Sequence, residues 1–427
     1  MMENPAMKPL KTTDRLFRSL VKGKLSTIQT GHLKIIDDDG EFVVGDPGAT
    51  LRASVRVLDP RFYRAAALGG DVAVADAYLD SWWETPDLVL FFRVFIRNKP
   101  LLTKTASGWA GLGDLAARCV HAIHRNTLKG SRKNISAHYD LGNDLFSTFL
   151  DPSMMYSCAS FPTEDATLEQ ASHYKNDRIC RKLDLSPKDH LLEIGTGWGG
   201  FAIHAAVNYG CRVTTTTISH EQHLYTVERI AAAGLSDRIE VLFKDYRDLE
   251  GRYDKIVSIE MIEAVGHHYY DKYFETCNRL LEDDGLMLLQ AITISDWAFY
   301  RHKRSVDFIK SHIFPGSCIP SITAISNSLA NVTDMRIFHL EDIGPHYVRT
   351  LQAWRSNFSD AQFEIEQMGY DQRFILAWHY YLTYCEAGFA ERYISDVHLL
   401  LAKPRNQRAP VLPGILDVRE RQPIETA

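Results

Sequence analysis

One segment constrains the fold more than any other: Leu191-Leu192-Glu193-Ile194-Gly195-Thr196-Gly197-Trp198-Gly199-Gly200. A strand-like apolar run passes through a glycine-rich turn into a helix. Glycine lets the backbone turn tightly there and come close to a ligand. Around this segment, from about residue 131 to 405, strand patterns alternate with helical ones. Strands are expected at Leu191–Ile194, Arg212–Ile218, Ile239–Phe243, Lys255–Ile259, Leu286–Ile292, Met335–Leu340 and His398–Ala402. Helical stretches such as Glu221 to Ala233 and Tyr269 to Leu281 lie between them. The alternation predicts an α/β domain built on a doubly wound seven-stranded sheet.

Residues 1–130 read differently, as a small α+β domain. A basic helical segment leads into strands Leu33–Ile36, Glu41–Val44 and Leu51–Leu58, the first two joined by an Asp38-Asp39-Gly40 turn. Beyond Asp59-Pro60 the pattern is helical and aromatic through Tyr78, Trp82, Trp83, Phe91 and Phe92. Residues 406–427, with Pro410, Pro413 and Pro423 among charges, read as a loose tail. A chain of 427 residues suits two domains.

No apolar run approaches the roughly 20 residues of a membrane-spanning helix. The start, Met1-Met2-Glu3-Asn4-Pro5, lacks a secretory pattern, so a cytoplasmic protein is expected. The seven cysteines form no Cys-x-x-Cys pair. In His220-Glu221-Gln222-His223 the second histidine comes one residue too early to share a helical face with the first. Neither a metal site nor a nucleic-acid partner is expected. Net charge is −6, yet Lys8, Lys11, Arg15, Arg18, Lys22 and Lys24 crowd the start, interleaved with Leu10, Phe17, Leu20 and Val21. A second basic stretch runs from Arg118 to Lys133, with Arg125, Lys129 and Arg132. Such segments either lie on anionic lipid or form solvated faces.

Glycines 195, 197 and 200 also satisfy G-x-G-x-x-G, so a dinucleotide site has to be weighed. That site needs an acid at the end of the second strand to hold a ribose. Here the strand ends Thr214-Thr215-Thr216-Thr217-Ile218-Ser219, without one. Glu193 instead sits two residues before the first glycine, where a carboxylate suits a cationic ligand. Asp245-Tyr246 follows the third strand, where an adenine could be held. This arrangement resembles class I methyltransferases rather than dehydrogenases.

Further segments narrow the resemblance. His138-Tyr139-Asp140-Leu141-Gly142-Asn143-Asp144 and Tyr156-Ser157-Cys158-Ala159 precede the glycine loop. Glu260-Met261-Ile262-Glu263-Ala264-Val265-Gly266, Ile313-Phe314-Pro315-Gly316 and Gly344-Pro345-His346-Tyr347-Val348-Arg349 follow it. With these motifs in this order, the sequence resembles the cyclopropane fatty acid synthase family from about Asn134 to Lys403. Its N-terminal part is similar to the extra domain of the bacterial phospholipid-acting members.

The resemblance implies S-adenosylmethionine as cofactor, held by Tyr156, Ser157, Gly195, Thr196, Gly197, Thr217, Gln222, Asp245 and Tyr246, with Glu193 beside them. It also implies a bound bicarbonate ion that takes up a proton, with Cys158 beside it, Glu263 orienting it and Tyr347 reaching it; Glu260 then reads as a plain helix-start acid. Many relatives carry a histidine after the fifth strand where this chain has Gln290, which can bind an anion but cannot take up a proton. The implied reaction is one-carbon transfer to the double bond of an unsaturated acyl chain of membrane phospholipid, giving a cyclopropane. Gln290 keeps a methyl- or methylene-branched product open, and an inactive membrane-associated binding protein is the alternative of another class. A homodimer at the inner membrane face is a further implication. The acyl site is expected under the helices between the fifth and sixth strands and after Tyr347, a region rich in aromatics such as Trp354, Phe358, Phe363, Phe374, Trp378, Tyr381 and Tyr384.

Overall fold

The computed structural model describes residues 7–104 and 142–411. The basic stretch Arg118–Lys133 and the motif residues His138 to Leu141 lie outside them. In the first region the chain forms α1 (Thr12–Leu25), β1 (His32–Asp37), β2 (Gly40–Gly45), β3 (Arg52–Val57), α2 (Arg61–Leu68), α3 (Gly70–Leu79), β4 (Trp83–Glu84) and α4 (Leu88–Lys104). β1 and β2 make the antiparallel hairpin expected from the Asp-Asp-Gly turn, and β3 joins β1 in parallel. Alternation along β1 and β3 turns Leu33, Ile35, Val55 and Val57 to the core.

Two expectations change here. Trp83 is not helical: Ser81, at φ +57°, turns the chain out of α3, and the Trp82 carbonyl accepts N–H bonds from Leu58 and Asp59. That leaves Trp83 buried on β4 beside β3. Helix α1 is also less free than its charge implied. Lys8 pairs with Asp59 at 2.6 Å, Arg15 with Asp39 at 2.9 Å and Arg18 with Asp37 at 2.5 Å. Asp37 is buried, so removing Arg18 would strand a charge at a cost of about 3 kcal/mol. Among the residues α1 leaves outward are two large apolar ones, Leu16 at 62% exposed and Leu20 at 55%.

The second region continues with α5 (Asn143–Phe149), α6 (Leu168–Leu183), β5 (His190–Ile194), α7 (Gly200–Tyr209), β6 (Arg212–Thr217), α8 (His220–Ala232), β7 (Ile239–Phe243), β8 (Tyr253–Ile259), α9 (Ile262–Val265), α10 (Tyr270–Leu280) and β9 (Leu281–Ile294). It ends with α11 (Asp296–His302), α12 (Ile322–Val332), β10 (Arg336–Asp342), α13 (Gly344–Asp360), α14 (Gln362–Gln367), α15 (Gln372–Ala390) and β11 (Ile394–Ala402). The seven strands run in the order β10-β11-β9-β8-β5-β6-β7. All are parallel except β11, which is antiparallel to both β9 and β10. From β5 the chain winds outward through β6 and β7, then returns to β8 on the other side. The carboxyl ends of β5 and β8 therefore flank the switch point where such sheets bind ligands.

The two regions share one apolar core. Phe92 of α4 meets Tyr380 and Tyr384 of α15 at ring distances of 4.9 and 5.2 Å. Arg93 and Arg97 both hold Glu391 at 2.6 Å. The C-terminal segment stays attached further than its composition implied: Asn406 donates to the Asp284 carbonyl and Arg408 to that of Arg181. Residues beyond 411 lie outside the described ones. Among the described residues no helix is long and apolar enough to cross a membrane.

Candidate active site

β5 ends at Ile194, and the glycine loop is drawn over the sheet edge by its own backbone. The N–H groups of Gly195 and Thr196 both donate to the Thr216 carbonyl on β6, at 3.1 and 3.0 Å. Gly195 adopts φ +101°, a conformation that L side chains rarely take. At Gly200 the requirement is space: a Cβ would lie 2.4 Å from the Ser153 carbonyl oxygen. The loop thus presses against the segment that carries Tyr156, Ser157 and Cys158.

All ten residues expected around the cofactor line one cavity of about 1640 Å³. Thr217 donates to Gln222 at 2.9 Å, fixing both at the end of β6. Asp245 is clamped by Arg247 at 2.8 and 2.7 Å, and Tyr246 follows it. Tyr156 meets Tyr381 hydroxyl to hydroxyl at 2.9 Å, and Ser157 accepts from the buried ammonium of Lys175 at 3.0 Å. Glu193 accepts from Thr215 at 2.6 Å, and burial pushes its carboxyl up to about 8. The Thr196 hydroxyl oxygen is buried and meets no hydrogen-bond partner among the described residues.

The expected catalytic residues meet around a different acid from the one anticipated. Glu260, at the end of β8, accepts from the Cys158 N–H at 2.7 Å, from Gln290 Nε2 at 2.8 Å and from the Tyr347 hydroxyl at 2.6 Å. Its reading as a plain helix-start acid is therefore corrected. It holds φ +47°, which is strained for a non-glycine residue by about 1–2 kcal/mol. Glu263 faces the same cavity but makes another contact, accepting from the Ile292 N–H at 2.5 Å. Its second carboxyl oxygen is buried without a partner among the described residues, and burial followed by the nearby Glu260 charge raises it to about 8. Cys158 and Gln290 are fully buried just behind the wall, and burial drives the Cys158 thiol well above its ordinary range.

Behind Glu260 the strands β9 and β11 add groups that sequence reasoning missed. Their register sets His398 opposite Gln290 and Asp396 opposite Ile292. Gln290 Nε2 donates to Asp396 at 2.8 Å, and its oxygen lies 3.2 Å from His398 Nε2. Burial, then the Lys182 ammonium, keep His398 neutral, so its Nε2–H donates to Gln290 while Nδ1 accepts from Lys182 at 2.8 Å. Lys175, also buried, is lowered to about 8 by desolvation against the pull of Glu260. Glu260 alone had a visible signal: a second acid, three residues before Glu263, directly after a strand at the switch point.

The profile of the family described as mycolic acid cyclopropane synthetase matches residues 126–399. The chain belongs to that family. Among curated relatives, it is 34% identical over 369 residues to tuberculostearic acid methyltransferase UfaA1 of Mycobacterium tuberculosis, covering 83% of this chain and 86% of the relative. It is 37% identical over 348 residues to the cyclopropane-fatty-acyl-phospholipid synthase of Escherichia coli K12, covering 80% and 85%. Among solved structures, the mycolic acid cyclopropane synthase CmaA1 complexed with SAH and CTAB superposes with a TM-score of 0.60 at 31% identity, over 64% of this chain and 98% of that one. The protein is a methyltransferase of the cyclopropane synthase family with the class I fold.

S-adenosylmethionine fits the crevice: the loop glycines leave it open, and the Thr196 hydroxyl offers an unspent polar group there. Bicarbonate does not fit in the same way. The Cys158 N–H, the Gln290 amide and the Tyr347 hydroxyl are already spent on Glu260, and a second anion would meet its charge.

Proposed function

We propose that this enzyme transfers a one-carbon unit to the double bond of an unsaturated acyl chain of membrane phospholipid, giving a cyclopropane fatty acid. The observation that carries this reading is the shape of the cavity. From the glycine loop it passes Glu260, Glu263 and Tyr347, then Ile309, Phe314, Tyr381 and Phe389, and it reaches Leu16 and Leu20 of α1. Leu16 and Leu20 are exposed, which opens the cavity to solvent there, and Lys24 of the same helix lines it as well. Apolar walls leading to an opening edged by leucine and lysine side chains suit an acyl chain drawn from an anionic bilayer.

Bound S-adenosylmethionine would supply an electrophilic methyl carbon, held by Tyr156, Ser157, the glycine loop, Thr217, Gln222, Asp245 and Tyr246. The walls hold the alkene in line with that carbon and keep out water that would trap a carbocation. Tyr347 and Phe389 both line the cavity, and aromatic rings there can stabilise positive charge on the chain. Loss of a proton from the new methyl group then closes the ring.

A second reading, a methyl-branched product, is favoured by Gln290 and by the similarity to a tuberculostearic acid methyltransferase. Proton NMR of lipid recovered from monounsaturated phospholipid vesicles, incubated with enzyme and cofactor, separates the two. Upfield ring-methylene signals are the expected result, and new branched-alkene signals would establish the second reading. Unchanged lipid would overturn both. The double substitution Leu16→Ser/Leu20→Ser is expected to weaken binding to anionic vesicles about tenfold in co-sedimentation, since each leucine contributes ~1.5–3 kcal/mol when fully buried and less when partly inserted. Unchanged binding would detach α1 from the lipid surface.

A further inference from the structure

The misfit of bicarbonate has a constructive side, and it rests on the proposed acyl reaction. We propose that the carboxylate of Glu260 is the built-in base of this enzyme, standing in the place where the family resemblance puts a bicarbonate ion. A bound anion there needs donors, a wall of the acyl cavity and a way to hold the proton it receives. Glu260 has all three. Its oxygens take the Cys158 N–H, the Gln290 amide and the Tyr347 hydroxyl, at 2.6 to 2.8 Å. It lines the cavity shared by the glycine loop and Tyr347.

The backbone is a second, independent observation. Glu260 sits at φ +47°, a conformation that glycine takes freely and that glutamate holds only at a cost. A carboxylate stands where a residue without a side chain would fit with less strain.

The surroundings match a proton acceptor. Asp396 shares the Gln290 amide with Glu260, each accepting from Nε2 at 2.8 Å, and its other oxygen, Oδ1, meets no donor among the described residues. A proton on that oxygen satisfies the pair, and burial followed by the Glu260 charge drives the Asp396 carboxyl well above its ordinary range. The pair then carries one negative charge, balanced by the buried ammonium of Lys175. Burial also raises Glu260 against the pull of Tyr347, which makes it a stronger base than a solvated carboxylate.

The step balances without another reactant. The π electrons of the alkene form the bond to the methyl carbon, and the sulfur–carbon bond breaks with its pair left on the neutral thioether. A C–H bond of the resulting cation then breaks. Its electron pair closes the ring, or forms a new alkene in the branched outcome, and the proton goes to a Glu260 oxygen. It leaves to solvent when product departs.

The test is turnover of monounsaturated phospholipid vesicles by the full-length enzyme in buffer stripped of carbon dioxide, with and without added bicarbonate. The wild-type rate is expected to change less than about twofold. Glu260→Gly, which relieves the backbone strain and opens an anion-sized space, is expected to lose ~10²–10⁴-fold without bicarbonate and to regain at least tenfold with it. Glu260→Gln should be slow in both buffers. Carbon-13 NMR of labelled bicarbonate gives a readout independent of turnover: Glu260→Gly should broaden the line and the wild type should not. Loss of wild-type activity on stripping, or broadening of the line by the wild type, would overturn the proposal. A wild type that turns over no acyl lipid would instead overturn the proposed function, and the carbon-13 line would still decide who occupies the anion position.

Discussion

Glu260→Gln is expected to slow single-turnover methylation by ~10²–10⁴-fold, the usual weight of a general base, while cofactor affinity stays within about twofold. The amide preserves volume but turns an N–H2 donor toward partners that are themselves donors. It cannot take up a proton at neutral pH. Cofactor binding is spared because Tyr156, the glycine loop and Thr217 do not bond to Glu260 through their side chains. Glu263→Gln provides the contrast. That carboxyl is raised to about 8 by burial and by Glu260, so at neutral pH it is mostly the neutral acid, and an amide alters its charge little. The bond it accepts from the Ile292 N–H can be accepted equally by an amide oxygen. The expected loss is about tenfold or less. Rapid-quench kinetics on both variants checks the order, and a larger loss at Glu263 would take the base role away from Glu260.

The second large effect is expected at Gly200→Ala. A methyl group there would sit 2.4 Å from the Ser153 carbonyl oxygen and 2.9 Å from the Met155 sulfur. The sulfur can swing away, but the carbonyl is pinned. Ser153 donates its N–H to Asp151 at 2.9 Å, and its carbonyl accepts from Arg229 at 3.1 Å. The strain of overpacking, ~1–3 kcal/mol, would be shared between the glycine loop and the Tyr156–Cys158 segment, both of which border the reaction. A displacement on the order of 1 Å costs about 10²-fold in rate. Calorimetry should show a lower melting temperature and cofactor titration a loss exceeding tenfold. Near-normal binding would mean that the Ser153 segment yields without consequence.

The glycine at 200 illustrates what local sequence can carry. A strand, a turn that needs positive φ and a helix follow one another within ten residues, so spacing alone announces the crevice. The alternation of strand and helix likewise placed the seven strands of the larger sheet, and all ten residues expected around the cofactor line one cavity. The acids were harder. Glu260 and Glu263 lie three residues apart after the same strand, and which of them turns toward Cys158 depends on a backbone torsion that composition does not reveal. Asp396 and His398 were out of reach for another reason. They act on the site because β11 pairs with β9 in one particular register, a contact spanning about a hundred residues. Trp83 misled through its aromatic neighbours, since the left-handed turn at Ser81 that ends the helix carries no glycine.

That antiparallel strand bears on how the enzyme comes into being. During synthesis β9 and β10 leave the ribosome before β11, and β10 has no neighbour in this sheet until β11 pairs with both. Until then Gln290 has no Asp396 or His398, and the donors around Glu260 lack their backing. The nascent protein can already build the cofactor crevice from β5 and β6, because those strands emerge early. Its acid–base machinery matures only with the last insertion into the sheet, so the means to control the cation is completed after the crevice for the alkylating cofactor.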